Sequence, residues 1–439
     1  MILPFFALDP PEWQQPSARI FLILMALAFV LPRIALLVAA SGLPTSDAKW
    51  YFDRAVSIAH GNGYAFDGTP TAFWPIGFPG FLSLLFSIFP ESPETGLVTN
   101  FFLEAITLTC TFHIFCTLPI STKWALFGTF TLSIFPNFIF YQNLLLSEML
   151  MTSLLTLSLW GIITARYKYQ FLFTGISFGL ASLVKSQLLF FPLFTLLYDI
   201  WHKPRRLPVI AKYLILALGM VIVIAPWTVR NYMVFDRFIL VQSNGGYNLL
   251  MGNNAHDKWG GSTGLSSELA AMFPGIITDI NQRLPDEIGM NDKATATALR
   301  FITSNPVEVL KRVPFKLYRF FSHDPQGIGS LLRSNAAAGR DLSWLPALFP
   351  LSFWYYTIVM SLGMLSIGAV FLSSLRNRTH LILLAVIFYF ALVSAVFFGE
   401  GRFHIPILPA FVGCMLMTLR AGELLVQSIR RSLHEFRGH

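Results

Sequence analysis

The sequence contains few charged residues for its length. Of its 439 residues, 12% are Asp, Glu, Lys or Arg, about half of the roughly 25% that is usual in a soluble domain. Hydrophobic residues make up 54% of the chain, the mean hydropathy is +0.60, and apolar runs of about 18 residues or more recur along it. The shortage of charge excludes an ordinary soluble protein and predicts an integral membrane protein that crosses the bilayer many times.

Cysteine and the common catalytic motifs are equally scarce. Cys110, Cys116 and Cys414 lie in apolar runs, without the nearby His or Cys partners of a zinc site. The chain has no HExxH or P-loop motif. Its net charge of +8 is not gathered into a basic patch with interleaved aromatic residues, so no nucleic-acid partner is expected. Nothing in the sequence requires a cofactor; a divalent metal is compatible with it but is not indicated.

Ten apolar runs are candidate membrane spans, which predicts an all-α polytopic membrane protein with a bundle of about ten transmembrane helices. The fifth and sixth runs are short enough to be tilted or re-entrant, so the expected count carries a margin of one or two. The runs lie near residues 18–40, 96–119, 125–143, 147–165, 171–185, 187–201, 211–227, 350–373, 379–398 and 403–421.

The loops between these runs alternate in charge. Basic residues concentrate in STK, ARYKYQ, WHKPRR, RNRTH and the tail RRSLHEFR, which the positive-inside rule assigns to the cytoplasm. Segments 41–95 and 228–346 then lie outside. We therefore expect three parts: a transmembrane module over 1–227 that includes the first outer loop, a folded outer segment over 228–346 with one or two amphipathic helices around Pro306, and C-terminal transmembrane helices with a basic tail over 347–439.

Asp47 stands where the chain leaves the first apolar run, in SDAKWYFDRAVSIAHGNGY. The helical spacing of the residues after it, Trp50 and Tyr51 among them, predicts a short interfacial helix with aromatic side chains at the level of the lipid headgroups. Two interpretations of Asp47 are open. It can cap this helix, or it can act as a base that meets a water-soluble acceptor and a lipid-borne donor at the membrane boundary.

Other ionisable residues are predicted at the same outer end of the bundle. Each alone has a structural interpretation, because Lys and Arg can extend to headgroups and a carboxylate can cap a helix. Together they form a rim in which cations suit a phosphate and carboxylates suit proton abstraction. The residues are Glu148, Lys185, Arg230, Glu400 and Arg402. Arg33 differs, because it lies inside the first run, where a charge either serves function or extends to the interface.

The order of these segments resembles the GT-C membrane glycosyltransferases, in the branch of the protein mannosyltransferases, the aminoarabinose transferases and the rhizobial lipopolysaccharide core transferases. The matching segments are SDAKWYFDRAVSIAHGNGY, WPIGFPGFLSLLFSIF, LSEML, GLASLVKSQLL, APWTVRNYMVFDRFILVQSNGGYNLLMGNN and GEGRFHIPILPAF. The resemblance implies a GT-C-like bundle, with interfacial helices in the first outer loop.

The resemblance also implies an inverting transfer of a sugar from a polyprenyl-phosphate donor to a lipid, glycan or other envelope acceptor, with membrane lipids as further partners. Asp47 matches the acidic residue of the first loop, which would deprotonate or orient the acceptor hydroxyl. Glu148 matches the second acidic position, and Arg402 matches a position expected to hold the donor phosphate with help from Lys185 and Arg230. The residues expected to contact the substrates are Trp50, Tyr51, Asn231, Glu400 and His404. The implied location is the inner or plasma membrane, with the active site facing the periplasm or outside.

Two departures from the family pattern narrow this expectation. TAFWPIG lacks the Lys that aminoarabinose transferases carry before their Pro-rich run, and Asp47-Ala48 replaces the Asp-Glu pair of protein mannosyltransferases, which argues against a protein acceptor. Other functions stay open: a transporter or flippase for a lipid-linked solute, or a polymerase of lipid-linked envelope saccharides. A transporter is expected to place its charges near the middle of the bilayer rather than at its outer rim.

Overall fold

The computed structural model describes residues 16–202, 206–256, 286–372 and 375–437. These residues are helical apart from one short β-hairpin. The helices are α1 (Pro16–Ala39), α2 (Asp47–Ala59), α3 (Gly77–Phe86), α4 (Pro93–Phe115), α5 (Thr122–Ser133), α6 (Pro136–Gln142), α7 (Glu148–Thr164), α8 (Lys168–Val184), α9 (Phe191–His202), α10 (Arg206–Phe235), α11 (Gly245–Gly252), α12 (Glu287–Ser304), α13 (Pro306–Phe321), α14 (Gln326–Ala337), α15 (Phe349–Leu365), α16 (Arg378–Val396) and α17 (Leu408–Arg437). Within the described ranges, four 3₁₀ turns lie at Ser186–Leu188, Leu345–Leu348, Gly368–Phe371 and Gly401–Ile407.

The prediction of a multi-pass helical membrane protein is confirmed, but ten spans are not. Within the described residues, six helices are long and apolar enough to cross a membrane, or seven if α5 and α6, which meet at 52°, form one span. The six are α1, α4, α10, α15 with its flanking turns, α16, and α17 with the turn before it. The other predicted runs do fall on helices, but α7 and α8 have 17 residues each and α9 has 12. A helix needs about 20 residues to cross the hydrocarbon core.

Arg33 has a structural explanation that neither of its two interpretations included. Its Nε donates to Oε2 of Glu104 in α4 at 2.7 Å, and Nη2 pairs with the other carboxylate oxygen. Its remaining donors reach the carbonyl oxygens of Phe29 at 2.7 Å and Ser133 at 2.8 Å. Because the side chains of Arg33 and Glu104 are only 1% and 0% exposed, this ion pair joins α1 to α4 and α5 inside the bundle.

The first outer loop is a compact unit that packs on the bundle. Strand β1 (Ala65–Phe66) pairs antiparallel with β2 (Thr69–Pro70) across an Asp67–Gly68 turn in which both residues have positive φ, as a tight hairpin turn requires. The position of Trp50 and Tyr51 at headgroup level stays a prediction, but their side chains are only 3% and 9% exposed, which leaves little surface for contact with lipid headgroups. They pack on the rings of this loop, so the aromatic residues of α2 build a protein core.

The outer segment contains the predicted helices α12 and α13, whereas residues 257–285, which include the end of the Gly/Asn-rich stretch, lie outside the described residues. Helix α13 is amphipathic, but two of its cations face inward. Arg312 and Lys316 are buried, whereas Val307, Leu310 and Tyr318 are 64–74% exposed. An apolar outer side suits contact with lipid, and the buried cations are available to bind backbone groups.

The two ends of the bundle each have a charge cluster. At one end, Arg378 at the start of α16 pairs with Asp199 in α9, with Nη2 2.8 Å from Oδ2. At the other end, the starts of α2 and α7 meet the ends of α8 and α16, as the pairs Asp47–Arg402 and Glu148–Lys185 show. The second end carries the candidate site.

Candidate active site

A single guanidinium bridges two carboxylates at the end of the bundle. Nη1 of Arg402 donates to Oδ2 of Asp47 at 2.8 Å, and Nε donates to Oε2 of Glu400 at 3.0 Å. The hydroxyl of Ser46 donates to Oδ1 of Asp47 at 3.1 Å. The side chains of Asp47 and Arg402 keep 22% and 26% of their surface exposed, so both are reachable by a ligand.

The start of α2 directs the Asp47 carboxylate toward Arg402. Helix α2 begins at Asp47 itself, and the residue before it, Ser46, has φ 50° and makes no side-chain capping bond. The interpretation of Asp47 as a helix cap is therefore wrong. As the first helical residue, Asp47 is favoured by the positive end of the helix dipole, and its carboxylate is left to bind Arg402.

Helix α13 holds the turn that presents Arg402. The buried Nζ of Lys316 donates to the carbonyl oxygens of Ala395 and Val396 at 3.2 and 3.3 Å, at the C-terminal end of α16, where a cation is favourable. Gly399 follows, and a Cβ there would lie 1.8 Å from the Lys316 carbonyl oxygen. Only glycine permits this approach, so the backbone of α13 fixes the turn that leads to Arg402.

A second ion pair lies near the first. Glu148, the first residue of α7, accepts through Oε1 a bond of 2.9 Å from Nζ of Lys185, which follows the end of α8. The Glu148 side chain is 3% exposed and that of Lys185 is 20% exposed. The rim predicted from the sequence thus brings together Asp47, Glu148, Lys185, Glu400 and Arg402.

The Asp47–Arg402 pair lies between two cavities. The larger cavity has a volume of about 560 Å³ and the smaller about 240 Å³, and both are lined by Asp47, Leu146 and Arg402. Tyr51, Glu148, Lys185 and Glu400 line the larger one, whose wall also includes Trp74, Leu189, Phe190, Val393, Phe397 and Phe398. The smaller one is lined by polar groups from α14 and the α1–α2 loop, among them Ser46, Gln326, Ser330, Arg333 and Ser334.

The electrostatic environment keeps the Asp47 carboxylate ionised. Burial raises the pKa of Asp47, but the charge and hydrogen bond of Arg402, with smaller effects of Ser46 and Lys185, outweigh it, so the pKa is lowered. A carboxylate with a lowered pKa is a weaker base. Asp47 therefore gains basicity when another anion draws Arg402 away.

Three of the predicted substrate contacts line neither cavity: Trp50, His404 and Asn231. Trp50 is buried against Phe66 and Trp74, and its Nε1 donates to the Tyr64 hydroxyl at 3.4 Å. His404 is fully buried, and its Nδ1 bonds the carbonyl oxygen of Phe320 at 2.9 Å. Both side chains support the walls of the site from behind, and their positions give no support to direct contact with a substrate.

Arg230 and Asn231 also line neither cavity. Arg230 donates to the carbonyl oxygens of Thr71 at 2.9 Å and Tyr64 at 3.0 Å, and its guanidinium lies over the Trp227 ring. Asn231 is fully buried and donates to the Ile239 carbonyl oxygen. Arg230 attaches α10 to the hairpin of the first outer loop, so its contacts support a structural role and not phosphate binding.

The sequence analysis missed two buried carboxylates, one that positions the first outer loop and one beside the smaller cavity. Glu287, at the start of α12, accepts bonds of 2.6 and 2.7 Å from the hydroxyl of Thr71 and the amide of Ala72. Asp324 accepts a bond of 2.7 Å from the hydroxyl of Tyr141, which lines the smaller cavity, and burial raises its pKa to about 6. No motif marked either residue, because each partner is far away in sequence.

No cluster of three or more His, Cys, Asp or Glu side chains suited to a metal ion lies within the described ranges 16–202, 206–256, 286–372 and 375–437.

Comparison with known proteins finds a family match over part of the chain. The profile of the family described as dolichyl-phosphate-mannose-protein mannosyltransferase matches residues 74–229, just over a third of the chain. The predicted resemblance to GT-C glycosyltransferases is confirmed. The matched region contains Glu148 and Lys185, whereas Asp47 precedes it and Arg402 follows it.

One solved structure shares the fold of this chain. The crystal structure of the oligosaccharyltransferase of Archaeoglobus fulgidus, a complex with Zn and sulfate, matches with a TM-score of 0.55 and 14% identity over 91% of this chain and 48% of that one. The chain thus spans about half the length of that protein. ArnT from Cupriavidus metallidurans, bound to undecaprenyl phosphate, matches with a TM-score of 0.42 and 11% identity over 92% of this chain and 78% of ArnT. No curated protein sequence matches the chain significantly.

Proposed function

We propose that this GT-C glycosyltransferase moves a sugar from a polyprenyl phosphate to a hydroxyl of an envelope lipid or glycan, with inversion at the anomeric carbon. The observation that carries the proposal is the Asp47–Arg402 pair, which forms part of the wall of both cavities. A base and a phosphate-binding cation in contact at the junction of two chambers suit a reaction that joins two separately bound substrates.

The larger cavity suits the donor. Its wall combines apolar side chains, which favour an isoprenoid chain, with the cations Lys185 and Arg402, which favour a phosphate. The family description names dolichyl-phosphate mannose, a sugar on a lipid phosphate, and this agrees with such a cavity.

The smaller cavity suits the acceptor. Its lining combines Asp47 with several hydroxyl groups and Arg333. The acceptor hydroxyl gives its proton to a carboxylate oxygen of Asp47, and its oxygen attacks the anomeric carbon. The bond from that carbon to the phosphate oxygen breaks, and its electron pair stays on the phosphate.

Arg402 links donor binding to the basicity of Asp47. An arriving phosphate competes for the guanidinium that now holds the Asp47 carboxylate at 2.8 Å. As Arg402 turns to the phosphate, the effect that lowers the Asp47 pKa weakens and the carboxylate becomes a stronger base. The base would thus be activated only when the donor is present.

The test is transfer from radiolabelled polyprenyl-phosphate sugars by the purified chain in liposomes that contain envelope lipids. Asp47→Asn should lower the rate about a hundredfold or more while the protein stays folded. Asp53→Asn is the matched control, since Asp53 lies on the same helix and pairs with the exposed Lys49. Transfer by Asp47→Asn at the wild-type rate would contradict the base assignment, and donor movement across the bilayer without a glycosylated product would favour the flippase alternative.

We propose further that both cavities open on the outer face of an inner or plasma membrane. Support comes from the basic loops at the opposite end of the bundle, such as those containing Lys123 and Arg166. In a Cys116→Ser background, Ser330→Cys in the smaller cavity should react with a membrane-impermeant thiol reagent added outside intact cells, and Lys168→Cys should not. Labelling of Ser330→Cys only after lysis would reverse the orientation.

A further inference from the structure

Two polar atoms in the larger cavity are buried and have no hydrogen-bond partner in the described chain: Oε2 of Glu148 and Nε2 of Gln187. Such atoms are rare in native structures, because an unpaired buried polar group is costly. Glu148 is only 2% exposed and lines the cavity. A hydrogen-bond acceptor and a donor left unpaired in the wall of one cavity indicate a ligand with hydroxyl groups.

The Glu148 side chain and the Gln187 backbone are each held by a hydrogen bond. The Oε1 of Glu148 binds Lys185 at 2.9 Å, which leaves Oε2 for a ligand. Gln187 lies in the 3₁₀ turn Ser186–Leu188, and its carbonyl oxygen accepts a hydrogen bond from the hydroxyl of Tyr389 in α16. Fixed backbones and a fixed carboxylate give a preorganised binding site.

We propose that Glu148 and Gln187 bind hydroxyl groups of the sugar on the donor and select a neutral sugar over a cationic amino sugar. A hydroxyl can donate to the free carboxylate oxygen and accept from the amide. An ammonium group cannot accept from the amide, and it would approach the ammonium of Lys185, which already neutralises Glu148. The inference rests on the proposed function, since it takes the larger cavity as the donor site.

The experiment measures binding to the purified full chain by tryptophan fluorescence, because Trp74 lines the same cavity. The ligands are polyprenyl-phosphate mannose, its analogue with one hydroxyl replaced by an amine, and bare polyprenyl phosphate. The wild type should bind the mannosyl lipid more tightly than the other two. Gln187→Leu should weaken binding of the mannosyl lipid about tenfold and leave binding of bare polyprenyl phosphate unchanged.

Gln187→Glu keeps nearly the same side-chain size and adds a carboxylate, so it should shift the binding preference toward the amino analogue. This variant provides a second test of the sugar site if Gln187→Leu does not fold. Gln427→Leu, an exposed position on α17, is the matched control. Equal weakening of the mannosyl lipid and bare phosphate, or no weakening of either, would overturn the sugar site. Failure of the wild type to bind any of the three lipids would instead overturn the proposed donor cavity, and the sugar site with it.

Discussion

The Arg33–Glu104 and Arg402–Asp47 pairs have the same chemistry in different surroundings. Each joins a guanidinium to a carboxylate from a distant part of the chain. Each guanidinium nitrogen of Arg33 is hydrogen-bonded within the protein, and the guanidinium lies 4.2 Å from the centre of the Phe29 ring. Arg33 lines neither cavity. Arg402 lines both cavities and keeps about a quarter of its side-chain surface exposed.

The difference teaches that a charge within a membrane bundle does not by itself indicate function. A buried pair whose hydrogen-bonding capacity is used within the protein can only hold helices together. A pair beside a cavity can exchange one partner for a ligand, and a phosphate is a strong competitor for a guanidinium. Whether a ligand can reach the ion pair decides between a structural and a binding role, and the position of a residue in the sequence does not show this.

The largest expected effect comes from breaking the buried pair. Glu104→Gln would leave the Arg33 charge buried without a counter-ion, and such changes cost about 3–5 kcal/mol of stability. We expect a strongly lowered melting temperature in detergent and, in the protein that remains folded, an unchanged KM for the donor. The double variant Arg33→Met with Glu104→Leu should recover most of the stability, since it removes both charges. A raised KM at a normal melting temperature would contradict the structural role.

The second effect comes from the accessible pair. Arg402→Ala should raise the KM for the polyprenyl-phosphate donor about ten- to a hundredfold, as expected for the loss of a hydrogen bond to a charged group. The melting temperature should change little, because partly exposed ion pairs contribute about 1 kcal/mol or less. The control is Arg420→Ala, which breaks the Arg420–Glu423 pair on α17 away from both cavities. An unchanged donor titration would count against a phosphate contact.

Much of the fold and of the site could be predicted from the sequence. Apolar periodicity located the helices, and the shared outer depth of Asp47, Glu148, Lys185, Glu400 and Arg402 brought together residues that the structure places around one pair of cavities. These predictions depend only on hydropathy and on the number of helices between two residues, and both can be read directly from the sequence.

The remaining features depend on packing between distant segments. Arg230 has the depth and charge of a phosphate ligand, but its donors are used by the carbonyl oxygens of Tyr64 and Thr71. Trp50 is typical of a headgroup anchor, yet it is buried against Phe66 of the hairpin and Trp74. Hydropathy predicts the depth of a side chain along the bundle and does not predict which neighbours occupy its hydrogen bonds.

The smallest expected effect concerns the hydroxyl beside the accessible carboxylate. Ser46 donates to Asp47 at 3.1 Å from an exposed position, and a hydrogen bond to the ionised form lowers a pKa. In the free enzyme the pKa of Asp47 is lowered, so kcat/KM should hold as the pH falls and decline only when Asp47 takes up a proton, below the usual carboxyl range. Ser46→Ala should move this acid limb of the pH profile to higher pH and change kcat/KM at low pH by about twofold.

The control, Ser57→Ala, removes a hydroxyl from α2, the helix that begins at Asp47, without touching Asp47. It should leave the acid limb in place. A downward shift in Ser46→Ala would mean that Asp47 does not govern the acid limb, and would assign the limb to another group.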